Sequence, residues 1–166
     1  LSGNSALGNG GAFYNSSSSA TLTNCTLSGN ASGHEGGAIY NSSSSTTLSN
    51  CTMSGNSPLG NGGAFYHSSS SPALSSCTLA GNSAGHEGGA IHNSNTSSSP
   101  ALTNCIIWAN QGSGQISGGD ATASHCVIQG GFTGGTEIID ADPLLHPLGN
   151  YGGSTQTMPL SQGSPA

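Results

Sequence analysis

The chain has 166 residues, no Lys or Arg, six Asp plus Glu together, and a formal net charge of −6. Without basic side chains it lacks the means to hold nucleic-acid phosphates or to dock on anionic lipid. No apolar run reaches the ~18 residues that a membrane-spanning helix needs. The five Cys contain no CxxC pair, so neither a zinc knuckle nor a dithiol redox motif is present.

Four units open at Leu1, Leu27, Met53 and Leu79, giving a period of about 26 residues. The first and third carry LGNGGAF (Leu7 to Phe13, Leu59 to Phe65). The second and fourth carry GHEGGAI (Gly33 to Ile39, Gly85 to Ile91), so the duplicated unit is a pair. The fourth has two extra residues near Thr96. Within each unit the apolar runs are short: AFY or AIY, then TLT or ALS, then CTL. Each is bounded by Gly, Asn or Ser, so each reads as a strand of a few residues between turns. Helix is excluded, because no window keeps a 3.6-residue period and Gly recurs too often. Although Gly and Ser abound, apolar residues at fixed spacing argue against disorder.

Three short strands per unit, repeated in register, describe an all-β, right-handed parallel β-helix (β-solenoid) over residues 1–141. Equivalent positions should then stack in columns about 4.8 Å apart. The expected columns are Leu22, Leu48, Leu74 and Leu102; Cys25, Cys51, Cys77, Cys105 and Cys126; and Asn4, Asn30, Asn56 and Asn82. Leu and Cys are read as inward, the Cys as a row of buried thiols, since parallel side chains suit a disulfide poorly. The Asn are placed at bends, with unusual φ and amides bonded between coils. The Gly36-Gly37 pair supplies a bend that a Cβ would block. The Ser runs (Ser16 to Ser19, Ser42 to Ser45, Ser68 to Ser71) are read as a solvated edge. Residues 142–166, rich in Pro and Gly, read as an irregular cap or docking arm.

GGAIY at Gly36 to Tyr40 and LTNCTLSGN at Leu22 to Asn30 resemble the polymorphic-outer-membrane-protein type of β-helix repeat, over roughly the first 106 residues. TNCIIWANQ from Thr103, HCVIQGG from His125 and DADPLLHPLGNYGGSTQTMPLSQGSPA from Asp140 look like the tail of bacterial choice-of-anchor Q proteins. Those resemblances imply a secreted or cell-surface β-helix and a segment of a longer protein.

Candidate chemistry is sparse. β-Helix enzymes such as pectate lyases use basic residues that this chain lacks. Glycoside hydrolysis needs two carboxyls across a groove. Glu137, Asp140 and Asp142 are the nearest candidates, with Asp140 and Asp142 read instead as bracing the turn into Pro143. His34, Glu35, His86 and Glu87 are metal-ligand types, but the two pairs should lie roughly 9.6 Å apart, too far for one ion. No catalytic residue, metal or cofactor is therefore assigned. Thr21/Thr23, Thr47/Ser49, Ala73/Ser75, Ala101/Thr103 and Thr122/Ser124 flank the Leu column and should form two outward rows, a surface of the kind ice-binding solenoids present.

The sequence reading is a non-catalytic extracellular structural or adhesive β-helix that assembles end to end. Its partners are further copies of itself or other surface components, and Leu1, Pro143, Leu144, Leu145 and Pro147 are candidate docking residues. The alternative is a carbohydrate-binding or carbohydrate-active β-helix using Tyr14, Tyr40, Tyr66 and Trp108. An outward Tyr stack would favour that alternative; inward Tyr would favour the structural reading.

Overall fold

The computed structural model describes residues 1–166. It is a parallel β-solenoid without helices, so no helix is long and apolar enough to cross a membrane. The first coil holds β1 (Ser5–Ala6), β2 (Phe13–Ser16), β3 (Thr21–Thr23) and β4 (Thr26–Ser28). The second holds β5 (Ala31–Ser32), β6 (Ile39–Ser42), β7 (Thr47–Ser49) and β8 (Thr52–Ser54). The third holds β9 (Ser57–Pro58), β10 (Phe65–Ser68), β11 (Ala73–Ser75) and β12 (Thr78–Ala80). The fourth holds β13 (Ser83–Glu87), β14 (Ile91–Asn93), β15 (Ala101–Thr103) and β16 (Ile106–Trp108). A shorter fifth coil follows with β17 (Gln111–Ser113), β18 (Ile116–Ser117) and β19 (Thr122–Ile128), and β20 (Thr136–Ile139) closes the stack.

Every named strand pairing is parallel and joins successive coils. Tyr14 lies beside Tyr40 and Tyr40 beside Tyr66, while Leu22, Leu48, Leu74 and Leu102 follow one another in register. The two extra residues of the fourth unit fall between β14 and β15, so neither strand loses register. β19 runs as one seven-residue strand past both β15 and β16, which joins those two faces into a single ten-stranded sheet.

Three inward columns fill the core. One is Leu22, Leu48, Leu74, Leu102 and Ala123; the second is Leu27, Met53, Leu79, Ile107 and Ile128; the third is Ile39, Phe65 and Ile91. In TLT, ALS and their copies only the middle residue turns inward, because strand side chains alternate faces. Gly37 sits at a bend where coils nearly touch. A Cβ there would strike the Gly63 carbonyl oxygen and the Ser57 amide.

Two corner assignments differ from the sequence reading. Asn4, Asn30, Asn56 and Asn82 are not the residues with left-handed backbone; the Gly before each one takes positive φ, as at Gly29 (φ 61). Relieved of that role, Asn30, Asn56 and Asn82 are fully buried. The Asn30 Nδ2 donates to Asn56 Oδ1 at 2.8 Å, Asn56 to Asn82 at 2.8 Å, and Asn82 to Asn110 at 2.8 Å. The left-handed Asn are Asn24, Asn50 and Asn104, each just before a Cys.

The second difference lies in the Ser runs, which are not uniformly solvated. Ser43 and Ser69 adopt left-handed backbone (φ 50 and 52), and that reversal turns the next side chain inward. Ser44 and Ser70 are therefore buried, and Ser98 is buried at the equivalent place without a left-handed residue before it. The Ser44 amide donates to Ser70 Oγ at 3.1 Å, and Ser44 Oγ donates to the Ser42 carbonyl at 2.7 Å.

The last strand ends at Ile139, and the rest folds back along the outside of the stack. Antiparallel bridges join Leu145 to Leu160 and Gly149 to Thr157, and the Gln156 carbonyl accepts a 2.6 Å hydrogen bond from Thr26 Oγ1. Residues 140–166 thus form a strap from the last coil to the first, on the β4–β8–β12–β16 face. Thr52 and Val127 point outward from that face, yet they are only 7% and 4% exposed.

Candidate functional site

The β2–β6–β10–β14 face carries the most chemistry. Tyr14, Tyr40 and Tyr66 stack with ring centroids 5.1 Å apart in both pairs and planes within 11° and 6° of parallel. His92 continues the column at 5.2 Å. These are outward positions, alternating with Ile39, Phe65 and Ile91 in the core, and Tyr14 is 55% exposed. Tyr40 and Tyr66 are covered on both faces and offer solvent only phenol edges and hydroxyls, whereas Tyr14, stacked on one side alone, keeps its outer face open. Sugar rings that stack on aromatics need an open face. Trp108 lies elsewhere, on β16.

Beside that column run the expected metal-ligand types, of which the Glu35 side chain is engaged in the coil ladder. Glu35 accepts from the Asn61 amide and side chain, its own amide donates to Asn9 Oδ1 at 3.0 Å, and the Glu87 amide donates to Asn61 Oδ1 at 3.0 Å. Asn9 and Asn61 are thus spacers that bond the Glu turns between coils, a role their spacing alone did not reveal. His34 and His86 are exposed. No group of three or more His, Cys, Asp or Glu side chains is placed to share an ion. Within the same surface, His92 Nδ1 lies 2.8 Å from Ser117 Oγ and 3.7 Å from Glu87. Burial holds its pKa below the usual imidazole value, against the pull of Glu87 and Glu35.

The β3–β7–β11–β15–β19 face presents the two expected small-residue rows. Thr21, Thr47, Ala73, Ala101 and Thr122 are exposed, as are Thr23, Ser75 and Thr103; Ser49 and Ser124 are half-buried. The second row bonds to itself, with Ser49 Oγ donating to Thr23 Oγ1 at 3.1 Å.

At the corner between that face and the strap face stands the Cys column, and all five thiols are free. Cys25 is half-buried and the other four are buried. Each Sγ donates to the carbonyl two residues earlier, at 3.2–3.3 Å, across the left-handed residue between them. The thiol thereby holds the corner that its neighbour's backbone turns.

The late carboxyls are dispersed. Asp140 accepts from the Gly130 amide at 2.8 Å, and Asp142 from the Leu144 amide at 2.8 Å, closing a turn around Pro143. Glu137 pairs with His125 at 2.9 Å. That pair borders an open pocket of ≈ 490 Å³ whose walls include Ile106, Val127, Ile139 and Leu160. Of the candidate docking residues, Pro143 is buried and Leu145 half-buried, while Leu1, Leu144 and Pro147 are exposed.

Among known families, the model of the right-handed β-helix region matches residues 1–149. No curated protein and no solved structure matches the chain.

Proposed function

The chain belongs to the right-handed β-helix family, and from that premise we propose that it is a non-catalytic structural or adhesive segment of a secreted or surface-displayed protein, stacking end to end with its own kind. The observation that carries this reading is the sameness of successive coils. The columns of Leu, Cys, Asn and Tyr continue through several rungs with little change, and the buried Asn ladder bonds each coil to the next. Over the four full coils the cross-section stays constant, and an exposed coil edge can template another strand, so one copy can template the next. Such a contact is head-to-tail and does not close, which builds filaments. The repeat motifs favour the polymorphic-outer-membrane-protein type, and the segment from Asp140 a choice-of-anchor Q-like tail, both surface classes.

The first coil supplies the test. Asn24 N and the Ala20 carbonyl bond toward β7, so by alternation Thr21 and Thr23 turn their backbone groups to the opposite edge. Thr23→Pro removes an edge N–H without touching the bonds to β7. Light scattering of the 166-residue segment should show concentration-dependent growth that Thr23→Pro suppresses. Growth of equal extent in both would refute edge stacking.

A second reading, carbohydrate binding, is favoured by the outward position of Tyr14, Tyr40 and Tyr66. The edge-on presentation of Tyr40 and Tyr66 suits hydrogen bonding to an extended glycan by phenol hydroxyls, and ring stacking is open only to Tyr14. A glycan array in which Tyr40→Phe abolishes a signal would promote this reading. A blank array with the native segment would remove it.

A further inference from the structure

The three stacked tyrosines have a chemical consequence apart from ligand binding. Tyr14, Tyr40 and Tyr66 occupy one register position on β2, β6 and β10, held by parallel backbone pairing on both sides of Tyr40. Their rings lie 5.1 Å apart and nearly parallel. The remaining tyrosine, Tyr151, is exposed in the strap, and its ring neighbour is His146, at 6.2 Å. No other pair of tyrosines in the chain stacks.

We propose that the Tyr14–Tyr40–Tyr66 column is an oxidative cross-linking site, at which neighbouring coils become covalently joined through dityrosine. The co-reactant is a one-electron oxidant of the haem-peroxidase class working with hydrogen peroxide. Each of two adjacent phenols gives up one electron and its hydroxyl proton, leaving a pair of phenoxyl radicals. Their unpaired electrons, delocalised to the ring carbons ortho to oxygen, combine into one carbon–carbon bond. Each ring then moves its ortho hydrogen to the phenol oxygen and regains aromaticity. The chain loses two hydrogens in all, and one hydrogen peroxide is reduced to two waters.

Stacking favours the step because the second radical forms beside the first, so coupling is intramolecular and does not wait for two molecules to meet. The outer ring edges are open to the oxidant, most of all at Tyr14. Coupling needs the planes to tilt toward each other about the Cβ–Cγ bonds, and no core residue must move. Tyr14 and Tyr66 are two rungs apart, about 10 Å, and cannot couple directly. Tyr40 is therefore a member of every possible link.

The experiment treats the 166-residue segment with peroxidase and hydrogen peroxide over a wide dilution range, and reads dityrosine fluorescence and peptide mass. A dilution-independent product lacking two hydrogens is expected, with the link mapped to Tyr14–Tyr40 or Tyr40–Tyr66. Tyr40→Phe, which keeps the ring stack, should lose the intramolecular product entirely. Tyr14→Phe should retain only the Tyr40–Tyr66 link, and Tyr151→Phe should leave the yield unchanged. The proposal is overturned if coupling occurs only between chains, if it maps to Tyr151, if Tyr40→Phe couples as well as the native chain, or if no dityrosine forms.

Discussion

His67 lies in the core with no exposed surface, and neither ring nitrogen has a hydrogen-bond partner. It occupies the column whose other members are Asn15, Asn41 and Asn93, and it packs against Phe65 with ring centroids 4.4 Å apart. Burial first, and His92 second, depress its pKa to about 3, from 6.5 for a free imidazole. Between those values the unfolded chain binds a proton that the folded chain refuses, so stability rises with pH and falls on acidification. The loss begins as pH drops through about 6.5 and grows by roughly 1.4 kcal/mol per unit. It reaches about 3 kcal/mol at pH 4.5 and levels off near 5 kcal/mol below pH 3. His67→Asn tests the reasoning, because the first coil already places Asn15 two residues after Phe13 in the matching strand. Urea melts of both proteins from pH 7.5 to 4 isolate the effect, since every other titratable group is common to the two. The native chain should lose about 3 kcal/mol more than the variant by pH 4.5. Parallel pH profiles would show that His67 is protonated in the folded state, and the argument from burial would fail.

Other outcomes follow from the packing. Leu48→Ala should cost about 2–5 kcal/mol by opening a cavity in a central coil. Ser44→Ala should cost about 1–3 kcal/mol, because it strips partners from buried backbone groups, while the exposed Ser43→Ala should stay within about 0.5 kcal/mol; chemical denaturation ranks all three, and equal effects would contradict the corner geometry. Asn56→Ala removes the acceptor for the Asn30 amide and side chain and the donor to the Leu27 carbonyl. It should therefore destabilise by at least about 3 kcal/mol, and a loss below 1 kcal/mol in the same assay would demote the ladder. With no Lys or Arg, and only His side chains facing Glu87 and Glu137, the melting temperature at pH 8 should barely move with NaCl; calorimetry showing a shift of many degrees would contradict this.

Much of the fold was legible because a solenoid writes its geometry as period. TLT, TLS, ALS and ALT place one Leu per unit at fixed spacing, and that alone aligns the column from Leu22 to Leu102. The corners were harder to read. Which Ser in a run of four turns inward depends on a positive φ that composition does not mark. In SGN, by contrast, the Gly is the residue type suited to left-handed backbone, and the sequence reading assigned that role to the Asn in its place. The strap was equally hidden, since its contact between Thr26 and Gln156 joins distant parts of the chain and has no periodic signature. Tyr14, Tyr40 and Tyr66 could be placed in one column from their spacing. That Tyr40 and Tyr66 are covered on both faces while Tyr14 is not depends on ring planes that spacing does not encode.

Cryo-electron microscopy of the segment at high concentration tests the structural reading most directly. End-to-end stacking predicts filaments one β-helix wide, with rungs about 4.8 Å apart running unbroken through each junction between copies. Single particles at every concentration, or bundles joined side by side through the Thr and Ser rows, would contradict it.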